Sequence, residues 1–355
     1  MKTLIFHASH SRLRIYLTAG YALFIVYASL SPFSGWQDQG LAFSDVLTAP
    51  LKQSSTLFDS ITNLLAYLPF GLLLGLTLHT YVGAKWTVPL ALAGGAALSA
   101  AMEYSQMYLP ARFSSNMDLL SNSTGALIGA LLAATIAPRR WFAFLTYWRG
   151  RLFRPGGSAD FGLALVLLWV FAQVNPSLPM LGNVFISELA HQPFMTVQPA
   201  PFHWLEVFTV TLNLLMLGTL LLTLLRHRRD AMIVLVAVLF AVALMKFFAA
   251  ATLLKSWALM LWVNSEAMLG LLIGLLLLSV ALLLSQRAVL LLATTVALGH
   301  LAIGFFVLDK NDPDSTYALF YWHYGHLLNY SGLSQTIMLA FPFLLLGYLW
   351  RVRMR

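Results

Sequence analysis

Charge is what this sequence has least of: only 10% of its 355 residues are Asp, Glu, Lys or Arg, against about 25% in soluble globular domains. A chain so poor in charge cannot cover itself with a hydrated surface, and it reads as an integral membrane protein. Cysteine is absent, which excludes a disulfide framework, a thiol nucleophile and a cysteine-ligated metal, and leaves the redox compartment open. Phosphate-cradling glycine loops, nucleophile elbows and zinc-helix motifs are missing too. The net charge of +8 forms no broad basic face, because the arginines sit in short stretches between apolar runs, so nucleic acid is not an expected partner. No small-residue cleavage pattern follows Lys2, Arg12 and Arg14, and the N-terminus is read as a retained first helix.

What the chain has in abundance is apolar length. Runs able to cross the hydrocarbon core as helices fall at roughly 14–31, 60–80, 86–107, 118–137, 161–175, 205–225, 231–251, 260–285, 287–308 and 334–350. The expected fold is an all-α polytopic membrane protein of about ten transmembrane helices. With the N-terminus inside, alternate connections place 16 of the 21 basic residues on the inner side and 11 of the 13 acids on the outer side. Positive-inside bias then makes both termini cytoplasmic.

Spacing suggests an internal repeat. Pro32 and Pro176 end two helices 144 residues apart; "GALIGALL" and "GLLIGLLL" place Gly125 and Gly270 145 apart; Asn63-Leu-Leu recurs at Asn213. Four helices per copy make the repeat parallel rather than inverted. The expected organisation is a four-helix domain over 1–137, a basic cytoplasmic linker over 138–160, a degenerate second four-helix copy over 161–286 and two further helices over 287–355. The second copy has Lys246 and Lys255 at the spacing of Glu103 and Arg112, and no acid matching Asp118, so a single site is expected in the first copy.

That site is densest in "AMEYSQMYLPARFSSNMDLLSNSTGALIG", residues 101–129. Asp118, Asn122, Gly125 and Gly129 share one helical face, polar above and smooth below. Asn63 and Tyr67 stand likewise above Gly71 and Gly75, and such glycine pairs let membrane helices approach closely. Glu103 and Gln106 lie one turn apart, and Arg112 follows Pro110 in a short loop, from which its guanidinium is expected to fold back over the acids. A purely structural reading gives Asp118 an N-cap role, pairs Arg112 with Glu103 and makes the asparagines interhelical glue. Glue averages only about 0.6 kcal/mol per bond, too little to account for Glu, Arg and Asp together at one boundary. His323 and His326, with Asp309, Asp312 and Asp314 upstream, are a weaker metal candidate, since the surrounding aromatics fit an interfacial belt.

"FDSITNLLAYLPFGLLLG" followed by "EYSQMYLPARFSSNMDLLSNSTGALIG" resembles the VanZ-like family over about residues 14–137. Asn63, Pro69, Gly71, Glu103, Gln106, Arg112, Asp118, Asn122 and Gly125 map onto its motif. Many members carry Asp-Lys and a His at the start of the second helix, whereas this chain has Asp59-Ser60 and Asn63, the asparagine form. The resemblance implies a bacterial cytoplasmic-membrane protein of the cell envelope, in a family named for a member linked to teicoplanin resistance. It implies no settled activity.

Three functions remain open from the residues. The first is an enzyme or helper acting on an envelope lipid or lipid-linked saccharide. There Arg112 grips a phosphate or carboxylate, Asn63, Gln106 and Asn122 bind substrate, and Glu103 and Asp118 serve as acid and base or hold a divalent cation. No other cofactor is evident. The second is a binding or scaffold protein for envelope machinery with membrane protein partners. The third is a small-molecule transporter, which would want charge near the midplane of a span.

Overall fold

The computed structural model describes residues 12–31, 33–50, 57–137, 140–176, 178–182, 202–308 and 325–354. Among these the structure is helical, with a single isolated bridge between Phe153 and Leu225. The chain divides into two compact units, Met1–Gly150 and Arg151–Arg355.

The first unit holds α1 (Leu13–Leu30), a short α2 (Phe43–Thr48), α3 (Leu57–Val82), α4 (Ala84–Gln106) and α5 (Asn116–Ile136). Helix α1 stops where Ser31 turns extended, as the residue before a proline prefers. Helix α5 starts at Ser115, whose side chain accepts from the Met117 amide, and carries Asp118 in its first turn, where a carboxylate complements the helix dipole. The expected close approach is present: α3 packs most extensively against α5. A Cβ at Gly71 would overlap the Ala126 backbone, and one at Gly125 or Gly129 would overlap the carbonyls of Leu64 and Leu68. Each helix therefore lays its glycine pair on the other's backbone. Helix α4 joins them through buried Ala91, Gly95 and Ser99. The helix α6 (Arg140–Leu152) occupies much of the stretch expected as a plain basic linker.

The second unit holds α7 (Gly157–Gln173), α8 (Trp204–Leu224), α9 (Ala231–Leu253), α10 (Ser265–Ala281), α11 (Gln286–Leu308) and α12 (Gly325–Arg353). Nearly every residue of α8 is buried, from Glu206 to Leu224, because α7, α9, α10 and α11 all pack on it. Gly270 and Gly274 of α10 sit against Val207, Val210 and Leu214. The two helices set apart in the sequence as an addition pack directly into this unit, α11 on α8 and α12 on α7.

Among the described residues ten long helices overlap the ten expected runs, the one expected over 260–285 being shorter at Ser265–Ala281, and seven stretches are long and apolar enough to cross a membrane. The other three fall short for physical reasons. Helices α7 and α10 have 17 residues each, about 26 Å at 1.5 Å per residue against a core of about 30 Å. Helix α4 is long enough but rich in Ala, Gly and Ser. The chain is a multi-pass membrane protein.

Candidate functional site

Three helices of the first unit each contribute a polar pair spaced four residues apart, and four residues is one face of a helix. They are Asn63 and Tyr67 on α3, Ser99 and Glu103 on α4, and Asp118 and Asn122 on α5. Because α4 runs opposite to α3 and α5, the pairs stack in two tiers. In the tier nearer the helix ends, the Asn63 side chain lies beside Asp118, and the Glu103 and Asp118 carboxylates lie within electrostatic reach of each other. In the deeper tier, Nδ2 of Asn122 donates to Oγ of Ser99 at 2.9 Å. There the Tyr67 hydroxyl lies near Ser99 and Glu103 without a hydrogen bond of normal geometry. Ser99 is fully buried, Glu103 and Tyr67 are 3% exposed and Asn122 is 5% exposed.

Glu103 is anchored by the loop after its own helix. One carboxylate oxygen accepts from the Ser115 amide at 2.7 Å and from the Ser114 hydroxyl at 3.2 Å, so the acid fixes the entry into α5. Gln106 donates to the Ser29 carbonyl at 3.0 Å. Several buried acceptors are left over: Oδ1 of Asp118, Oδ1 of Asn122 and Oε1 of Gln106 have no hydrogen-bond partner. Such atoms are costly and uncommon in folded proteins, and each calls for an explanation.

The structure corrects three expectations. Arg112 does not fold over the acids. Its guanidinium donates to the carbonyls of Ser31 at 2.6 and 3.2 Å and Ala28 at 3.3 Å, satisfying the orphan acceptors at the end of α1; burial lowers its pKa from the ordinary arginine value. The loop of residues 107–115 is short, and it presents Arg112 to the end of α1 rather than to Glu103. Second, the close crossing of α3 and α5 is expected from the sequence to bring Asn63 against Asn122, and Asn63 lies beside Asp118 instead. Third, the N-cap of α5 is Ser115, which leaves Asp118 inside the first turn with a carboxylate oxygen unengaged.

Sequence reasoning missed Ser99 and Ser115. The four-residue spacing of Ser99 and Glu103 was the available signal for the first, although an intrahelical serine so often bonds its own backbone that it marks nothing alone. Among the described residues no group of three or more His, Asp or Glu could hold a metal ion. His323, Asp309, Asp312, Asp314 and the side chain of His326 lie outside the described residues.

Residues 3–137, the segment that carries the motifs described above, match the VanZ/LLP1 family model. No curated protein matches the chain, and no solved structure does.

Proposed function

We propose that the VanZ-like unit binds the polar head of an envelope lipid or lipid-linked saccharide, in a bacterial cytoplasmic membrane with both chain termini in the cytoplasm. The observation that carries this reading is the set of buried acceptors without partners on Asp118 and Asn122, at the end of three apolar helices. Polar groups at membrane depth are expensive and mark function by default. Exposed aromatics at the same end support a headgroup rather than a soluble ligand: Trp36, Phe58, Tyr104 and Phe113 are 48, 52, 49 and 84% exposed, as side chains anchored at the membrane–water interface are.

Binding is favoured over catalysis. One oxygen of Glu103 holds the Ser114–Ser115 turn, which ties that acid to the fold, and Asp118 is the acid with a buried oxygen that has no partner. The test is recovery of the protein in its native membrane, purification with co-bound lipid, and identification of that lipid by mass spectrometry. Wild type retains a polar envelope lipid that Asp118→Asn and Asn122→Ala release. Equal retention by all three proteins sinks the reading, and conversion of an added lipid to a new product by wild type alone would replace binding with catalysis.

A further inference from the structure

We infer that the polar site of the first unit takes a primary ammonium group on its ligand. The inference rests on the binding reading above and names the chemistry of the head it binds. The site has more open acceptors than open donors: the Tyr67 hydroxyl is the one buried donor among its atoms without a partner. The buried atoms without partners on Asp118, Asn122 and Gln106 are all acceptor oxygens. The amide nitrogens of Asn122 and Gln106 are already used, on Ser99 and on the Ser29 carbonyl.

Among the described residues the site also has no cation facing its acids. Glu103 and Asp118 are close enough to repel, and among the described residues neither forms an ion pair. Arg112, the one arginine in the loop between their helices, is committed to the carbonyls of Ala28 and Ser31. Asp59 adds a third acid within electrostatic reach of Asp118. Two neighbouring carboxylates with no counter-charge among the described residues, at the edge of a membrane, are stable only if a positive group comes from outside or a proton is retained.

Ligand classes can be sorted by what they bring. A phosphate or carboxylate brings only acceptors and negative charge, and meets both here. A polyol brings donors, but each hydroxyl also carries lone pairs, and the Tyr67 hydroxyl can serve only one of them. A divalent cation needs more oxygen ligands than the two carboxylates offer, and no third acid joins them in metal geometry among the described residues. An ammonium brings three donors, no acceptor and a positive charge. It matches the open oxygens of Asp118 and Asn122 and strengthens each bond by its charge. Tyr67, 3% exposed, lies beside Glu103 with a free hydroxyl oxygen and an aromatic face, and such faces attract cations.

Two sources offer this group, the head of an ethanolamine phospholipid and an amino sugar, and the experiment separates them. Full-length protein in nanodiscs of phosphatidylglycerol is titrated with short-chain phosphatidylethanolamine, with glucosamine, and with the N-acetyl derivative of each. At least one amine should bind about tenfold or more tightly than its acetylated form, the worth of one charge-assisted hydrogen bond. The amine that does so identifies the source. Asp118→Asn should erase that preference, and Glu103→Gln, which keeps an oxygen for the Ser115 amide, should reduce it; melting curves and size-exclusion profiles confirm that both variants fold. Equal affinity for amine and acetylated probes in wild type overturns the ammonium inference. If Asn122→Ala still weakens those probes, the polar-head reading survives that result; if no site variant changes any binding, both fall together.

Discussion

The two units treat the end of a helix in the same way and the space beside it in opposite ways. In the first, Gln106 and Arg112 donate to the carbonyls of Ser29 and Ser31 at the end of α1. In the second, Lys246 donates to those of Gln173 and Asn175 at the end of α7, at 3.0 and 2.6 Å. The paired carbonyls stand 144 residues apart, the spacing of Pro32 and Pro176. One lysine does in the second unit what a glutamine and an arginine do in the first. The consequence differs because of where the cation comes from. Arg112 reaches in from a loop and stays away from the acids, whereas Lys246, 1% exposed, projects from within α9 and lies within electrostatic reach of buried Glu206. The first unit keeps its acids open, and the second has brought a cation inside. An open polar site therefore depends on where a cation is anchored as much as on the acids themselves.

One large effect should come from closing the helix crossing of the first unit, where Gly71, Gly125 and Gly129 each sit on the backbone of the facing helix. Gly129→Leu drives a side chain into the Leu68 carbonyl and the Leu72 amide, and should cost about 3 kcal/mol or more, seen as loss of monodisperse protein in detergent. Gly274→Ala, whose added methyl meets the movable Leu214 side chain at 2.7 Å, should cost about 1 kcal/mol. Equal losses would mean that the two crossings are alike.

Next is the cation itself. Lys246→Met removes a buried charge within electrostatic reach of Glu206 and the ammonium that donates to the Gln173 and Asn175 carbonyls. It should cost about 3–5 kcal/mol, visible as a lower denaturation midpoint. Arg112→Ala removes a half-buried helix-end donor and should cost a smaller amount, about 1.5–3 kcal/mol. Lipid retention by the protein that still folds should be unchanged, because Arg112 does not face Asp118. Loss of retention at full stability would put the guanidinium back in the site.

The smallest effect tests likeness rather than difference. Ser115 caps α5 and Asn264 caps α10, each accepting an amide of its own first turn at 3.2 and 2.8 Å. Ser115→Ala and Asn264→Ala should each lower stability by about 1 kcal/mol, measured by the same thermal melt. A clearly unequal pair would argue against equivalent helix starts in the two units.

Local pattern determined much of this protein from the sequence alone. Uninterrupted apolar length located all ten long helices, since a membrane helix satisfies its own backbone and needs only a greasy surface of sufficient length. The glycine pairs at 71 and 75 and at 125 and 129 announced a close crossing, because the missing Cβ is itself the signal. Four-residue spacing placed Asp118 with Asn122 and Asn63 with Tyr67 on common faces. Only the tertiary structure decided the partners. Arg112 goes to Ala28 and Ser31 because the free carbonyls at a helix end are backbone atoms, and backbone acceptors carry no side-chain signature in a sequence. That Ser99 meets Asn122 and Asn63 lies beside Asp118 depends on the depth at which helices pack, a relation between residues 23 and 55 positions apart. Spacing along one helix can place residues on a face, but not assign the face they meet.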